Sequence, residues 1–294
     1  MKSIPVIILS TVAVKNLFEK KFKTVLHDDS NWISFTIAQL TEKKVLLLLK
    51  QYDNRVQHLI LLIPESNPLF HLIPCVLHNT VISFVTYKKP AELESWFFSV
   101  QNMQSREDRA IIASMQKPFY IKWAKRFYTG LKKPNKRVIY RPPELATKKD
   151  IGGSFAEGFR FCIYTGHGRN RGWSGYRGFR WEDIEAEKIY KTSGAVLSLS
   201  CSAFKPERNK VPFAMQWVNS GRLNAFCGFN THVHIQPLIA ISNYILEFIS
   251  KHKKATVSSL VLYLHHQIMA AGNDAVVKEW KSFRIAGNPF VKIF

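Results

Sequence analysis

Two short apolar runs constrain this chain more than any other feature: Phe159-Arg-Phe-Cys-Ile-Tyr164 and Ala195-Val-Leu-Ser-Leu-Ser200. Each has the length and composition of a strand buried on both faces. The first stops at Thr165-Gly166-His167-Gly168, and the second ends on Cys201. From His167 to Cys201 is 201 − 167 = 34 residues, room for one crossover between parallel strands. In an open parallel sheet the loops leaving the C-terminal strand ends form the ligand crevice. If the two strands are neighbours, a thiol and an imidazole meet there, as nucleophilic catalysis by a Cys/His pair requires.

The rest of the chain fits that sheet. Val56–Ile63, Val81–Tyr87 and Arg222–Phe229 read as further buried strands. Ile33–Gln51, Val211–Ser220, Pro237–Ser250 and Val257–Ala271 read as helices, and Leu69–His78 as a short helix interrupted near Pro74. Arg106–Leu131 reads as one long amphipathic stretch broken near Pro118. Strands alternating with helices predict an α/β fold of three layers, with a mostly parallel central sheet and helices on both faces. The expected organisation is an extension over residues 1–52 packed on a core of residues 53–294. Lys132–Asp150, rich in Lys and Pro, is expected to be an exposed connection open to proteolysis.

No apolar run approaches the roughly 18 residues of a spanning helix, and Ile4–Val14 reads as a strand rather than a signal peptide. Four cysteines without CxxC spacing suit reduced thiols in a cytoplasmic protein. The 42 Lys and Arg against 21 Asp and Glu, formally +21, attract acidic proteins, nucleic acid or anionic surfaces. In Phe119–Tyr128 aromatics alternate with cations. Such a run can stack nucleic-acid bases, but aromatics at helical spacing more often face the core while the lysines stay wet, and that is the expectation.

A thiol attacks a carbonyl as thiolate, and an imidazole can take its proton and return it to the leaving amine. The developing oxyanion needs fixed donors, and Gly168 directly after His167 leaves its backbone N–H approachable. Alone, a His-Gly turn or a buried Cys is a structural commonplace. The weight lies in both falling at the ends of consecutive buried strands.

This pattern resembles the caspase-like cysteine peptidases of clan CD, above all their gingipain-type and CHAT-domain members. Phe179-Arg-Trp-Glu-Asp-Ile184 is similar to the family's segment after the His loop. Phe213–Phe229 is similar to its helix and strand after the Cys. Ile285-Ala-Gly-Asn-Pro-Phe290 resembles its closing turn, with Asn288 where Asp is usual. The resemblance implies a protein or peptide substrate, a His167/Cys201 dyad working through a thioester, oxyanion donors at Gly168 and Cys201, and neither metal nor cofactor. Leu199-Ser200 stands where caspases proper carry Gln-Ala, so aspartate specificity is not implied. The alternative is a catalytically silent fold that acts as a basic module for nucleic acid or a partner.

Substrate-binding candidates come from the loops at the same edge. Between His167 and Trp181 stand Arg169, Arg171, Arg177 and Arg180, with Trp173 among them and no carboxylate. Ser202, Lys205, Glu207, Arg208 and Lys210 follow the nucleophile, while Asn230 and His232 leave a later strand. Arginine forks bind carboxylates bidentately, so acidic segments are the expected guests. The opposite preference would need a carboxylate, for which Asp150, Glu182 and Asp183 are nearest. His232-x-His234 has no Cys or carboxylate at ligand spacing and reads as cleft lining rather than a metal site.

Overall fold

A computed structural model describes residues 4–10, 14, 32–36, 41–52, 56–65, 67, 69–89, 92–96, 108–132, 137–187, 191–205, 211–252 and 254–293. Its strands are β1 (Ile4–Ser10), β2 (Trp32–Thr36), β3 (Val56–Pro64), β4 (Val76–Leu77), β5 (Thr80–Tyr87), β6 (Arg109–Ser114), β7 (Arg137–Arg141), β8 (Phe161–Thr165), β9 (Gly168–Arg169), β10 (Gly172–Trp173), β11 (Phe179–Arg180), β12 (Ser193–Leu199), β13 (Leu223–Phe229) and β14 (Phe283–Gly287). The helices are α1 (Glu42–Gln51), α2 (Leu69–Leu72), α3 (Pro118–Leu131), α4 (Lys148–Ala156), α5 (Trp181–Glu185), α6 (Phe213–Asn219), α7 (Ile235–Lys251), α8 (Val257–Ala271) and α9 (Asp274–Trp280).

The central sheet runs β2-β1-β3-β5-β14-β13-β12-β8-β6-β7, with β4 hairpinned onto β5. It is parallel except at β4 and where β14 lies antiparallel to β13. Its interior strands are apolar on both faces because both are covered. One core joins α1, α2, α4, α5 and α6 to the sheet through Leu49, Phe70, Phe155, Ile184 and Trp217. The other joins α3, α7, α8 and α9 through Phe127, Ile241, Leu264 and Trp280. The three-layer expectation holds.

Local chemistry explains the boundaries. Thr147 and Thr256 cap α4 and α8, each as part of a reciprocal capping box. Pro118 opens α3, where its missing N–H costs no hydrogen bond. Gly272 ends α8 in the left-handed region at φ 63°.

Several expectations need correction. Arg109–Ser114 is the strand β6 rather than part of one amphipathic stretch with the segment after it, and within Arg106–Leu131 the helix is Pro118–Leu131. The helix expected over Ile33–Gln51 begins at Glu42, after Thr41, and Trp32–Thr36 is strand. The expected connection over 132–150 holds the edge strand β7 and the first turn of α4. The first residues do not form an extension laid on a core: β1 lies in the sheet between β2 and β3. The basic residues Lys15, Lys20, Lys21 and Lys23 lie outside the described residues.

Candidate active site

The site is assembled by strand register. Ser114, Thr165 and Leu199 stand side by side at the ends of β6, β8 and β12, all parallel. The backbone therefore leaves the sheet at one edge in three adjacent loops: Met115-Gln116-Lys117, Gly166-His167-Gly168 and Ser200-Cys201-Ser202. The thiol and the imidazole thus come from residues two beyond a register pair, on neighbouring strands. A fourth loop, Asn230–His234, leaves β13 on the other side of β12.

The loops are locked together by close approach. A Cβ on Gly168 would stand 2.4 Å from Ser200 Oγ and 2.5 Å from the carbonyl oxygen of Cys201. A Cβ on Gly166 would meet Tyr164 Oη at 2.5 Å. Glycine is thus required at both positions flanking His167. Tyr164 stacks on Trp173 at 4.2 Å between centroids. Its hydroxyl donates to the His167 carbonyl oxygen at 3.0 Å and accepts from the Gly175 N–H at 3.0 Å. Ser202, at φ 57° in the left-handed region, donates its N–H to the Thr231 carbonyl oxygen at 2.9 Å.

His167 is exposed, with its ring edge-on to Tyr120 at 5.3 Å. Partial burial lowers its pKa, and its proximity to Lys117 and His232 lowers it further. Cys201 is 9% exposed. Its sulfur accepts from the Val233 N–H at 3.3 Å and lies 3.5 Å from the Val233 carbonyl oxygen. Burial raises the thiol pKa. The Val233 N–H opposes that rise, Glu279 adds to it, and the N–H of Cys201 itself opposes it. Burial thus favours the neutral form of each side chain. Glu279 in turn accepts from His234, through Nδ1 at 2.6 Å and through the backbone N–H at 3.4 Å.

The candidate binding residues separate. His232 is exposed and near enough to His167 to shift it, and Ser202 adjoins Cys201. Asn230 is 7% exposed, its N–H bonded to Ser282. Trp173, by contrast, is a core residue. Its indole is 2% exposed, donates to Ser198 Oγ at 3.0 Å and packs in the layer of α4 and α6, so its side chain does not line the cleft. Asp183 caps the turn before α5 by accepting from the Arg180 N–H and pairs with Lys148 at 3.3 Å. Glu182 is exposed on α5, and Asp150 is held in the α4 capping box.

Arg169, Arg171, Arg177 and Arg180 are all exposed, on or beside the small antiparallel sheet β11-β10-β9. Arg177 has φ 59°. Lys205 is exposed after Cys201, while Glu207, Arg208 and Lys210 lie outside the described residues. Cys75, Cys162 and Cys227 are free and buried. Burial pushes the Cys75 thiol to about 12 and the other two beyond that.

Tyr120, Lys117, Tyr164, Val233 and Glu279 were invisible to sequence reasoning as site residues. Tyr120 and Lys117 belong to a helix start that follows β6, a strand hidden in the sequence within one amphipathic stretch. Recognising β6 from the β-branched pair in Arg109-Ala-Ile-Ile-Ala-Ser114 would have brought both to the edge.

This architecture recurs in solved cysteine proteinases. The complex of Porphyromonas gingivalis RgpB pro- and mature domains is similar with a TM-score of 0.76 at 13% identity, covering 98% of this chain and 79% of that one. The Arg-specific cysteine proteinase gingipain R gives 0.75 at 13% identity, covering 99% and 78%. A structure described only as a protease gives 0.73 at 11% identity, covering 98% and 78%. No curated protein matches the chain in sequence. The class is that of the caspase-like cysteine peptidases of clan CD. Within it the chain belongs to peptidase family C25, whose sequence pattern matches residues 80–294. It is a cysteine peptidase, and its substrate is protein.

Proposed function

We propose that the chain is an endopeptidase that cleaves peptide bonds with a His167/Cys201 dyad. The supporting observation is the in-register exit of Gly166-His167-Gly168 and Ser200-Cys201 from adjacent strands, with the Gly168 and Cys201 backbones in closest approach. Burial favours the neutral form of each group, and imidazole takes the thiol proton as sulfur attacks the carbonyl carbon. The carbonyl electrons move onto oxygen, which the amides of Gly168 and Cys201 hold. Collapse breaks the C–N bond, His167 gives its proton to the departing amine, and a thioester remains. Water, deprotonated by His167, then attacks the thioester, releases the acid and restores the thiol. The Val233 N–H stabilises developing charge on sulfur. An electrophilic peptide probe tests this: it should modify Cys201 far faster than Cys162, and His167→Ala should slow the modification of Cys201. Equal labelling of the native protein and the variant would end the dyad assignment.

A further inference from the structure

Helices α3 and α7 both start at the catalytic edge of the sheet and lie in the same layer. Between their N-terminal halves is a hollow of about 240 Å³ lined by Phe119, Lys122, Trp123, Arg126 and Ile239. It lies beside the catalytic histidine: Phe119 contacts Tyr120 at 5.3 Å, and Tyr120 contacts His167 at 5.3 Å. Two of its five lining residues are cations, three are apolar, and none is acidic. Arg126 donates to Asn243 Oδ1 on α7 at 3.1 Å, which fixes the guanidinium across the helix pair with further N–H groups to offer. Trp123 is 4% exposed, yet its indole N–H has no partner among the described residues, a costly omission for a buried donor. Both helix N-termini add positive potential. Every ionisable side chain of α3 other than its tyrosines is cationic.

We infer that this hollow binds an acidic side chain of the polypeptide substrate, with an apolar neighbour of that side chain resting on Phe119 and Ile239. The inference rests on the peptidase reading above and supplies its substrate class. The volume is below the roughly 300–1,000 Å³ of small-molecule pockets, and so suits one amino-acid side chain. Nucleic acid needs a groove that tracks a backbone through successive stacking platforms. Here α3 offers instead one partly open ring, Phe119 at 40% exposure, while Tyr120, Trp123 and Phe127 are buried. Lys122 and Arg126 supply the charge-assisted contacts.

The test separates binding from cleavage by using the full chain carrying Cys201→Ala. Fluorescence anisotropy is measured with a labelled peptide containing Glu-Phe and with counterparts containing Gln-Phe and Lys-Phe. The Glu peptide should bind about tenfold more tightly than the Gln peptide, as one charge-assisted contact implies. Lys122→Glu with Arg126→Glu should abolish or invert that preference. Lys43→Glu with Lys44→Glu, the same change of net charge on α1, should preserve it. Equal binding of the Glu and Gln peptides overturns the inference, as does a preference that survives the α3 double variant. Tighter binding of a single-stranded oligonucleotide, lost in that same variant, assigns the hollow to nucleic acid and also overturns it. Cleavage by the protein with Cys201 intact is read separately, so failure of the peptidase reading leaves the binding result interpretable.

Discussion

Gly168→Ala tests how closely the site depends on backbone approach. The added Cβ would lie 2.5 Å from the Cys201 carbonyl oxygen and 2.9 Å from Ser200 Cβ, where ordinary contact begins at 3.4 Å. Ser200 cannot swing away freely, because its Oγ is paired with Ser198 Oγ at 2.7 Å and Ser198 Oγ also accepts the Trp173 indole N–H. The His167 loop must therefore retreat by about 0.9 Å from the Cys201 loop, the difference between those contacts. A misplacement near 1 Å costs on the order of 10²-fold in rate, about 2.7 kcal/mol of barrier. The packing strain should destabilise the fold by about 1–3 kcal/mol. Gly153→Ala is the matched control. Nothing lies within 4 Å of its Cβ position in α4, so it should stabilise by about 0.5–1 kcal/mol without changing rate. The assays are kcat/KM on a peptide mixture, the alkylation rate of Cys201 and urea unfolding of both variants. Wild-type kcat/KM and stability for Gly168→Ala would refute the argument.

Four further outcomes are expected. Alkylation of Cys201 by iodoacetamide should keep rising with pH past the ordinary thiol value, since burial raises the thiol; a plateau already reached at acidic pH would show a resting thiolate–imidazolium pair instead. Glu279→Gln removes a charge that holds the thiol up, so labelling at pH 8 should quicken. Tyr164→Phe keeps the stack on Trp173 but loses the hydroxyl bonds to His167 and Gly175; kcat should fall about tenfold with KM little changed, the scale of one positioning hydrogen bond of about 1–1.5 kcal/mol. Burial lowers His58 from 6.5 to about 4, so the unfolded chain takes up that proton first. Stability is full above about pH 6.5 and declines toward pH 4 by up to about 3 kcal/mol. His58→Leu should flatten that part of the pH–stability curve measured by denaturant unfolding.

The strands β8, β12 and β13 and the helices α7 and α8 were legible because their residues satisfy local rules on their own. Continuous apolar runs bounded by Gly or polar turns can only be buried strands, and Thr256 and Gly272 mark the ends of α8. β6 was misread because Arg109-Ala-Ile-Ile-Ala-Ser114 is too short to show a period. It is a strand because it fills the place between β8 and β7, where its backbone finds partners. β2 was missed for the same reason: its pairing partner, β1, lies 26 residues earlier by the register Val6–Trp32.

The candidate site divides in the same way. By itself the sequence determined that a thiol and an imidazole would follow consecutive buried strands with glycine beside the imidazole, because strand burial and glycine geometry are local properties. Only the tertiary structure decided what surrounds them. Trp173 turns into the core because Tyr164 stacks on it, and Asp183 turns to a helix cap because Lys148 and the Arg180 N–H reach it first. Tyr120, Val233 and Glu279 reach the site from distant stretches of chain. Which side chains share a sheet edge depends on strand order and register, and those follow from how all the apolar faces are covered together, which no single stretch encodes.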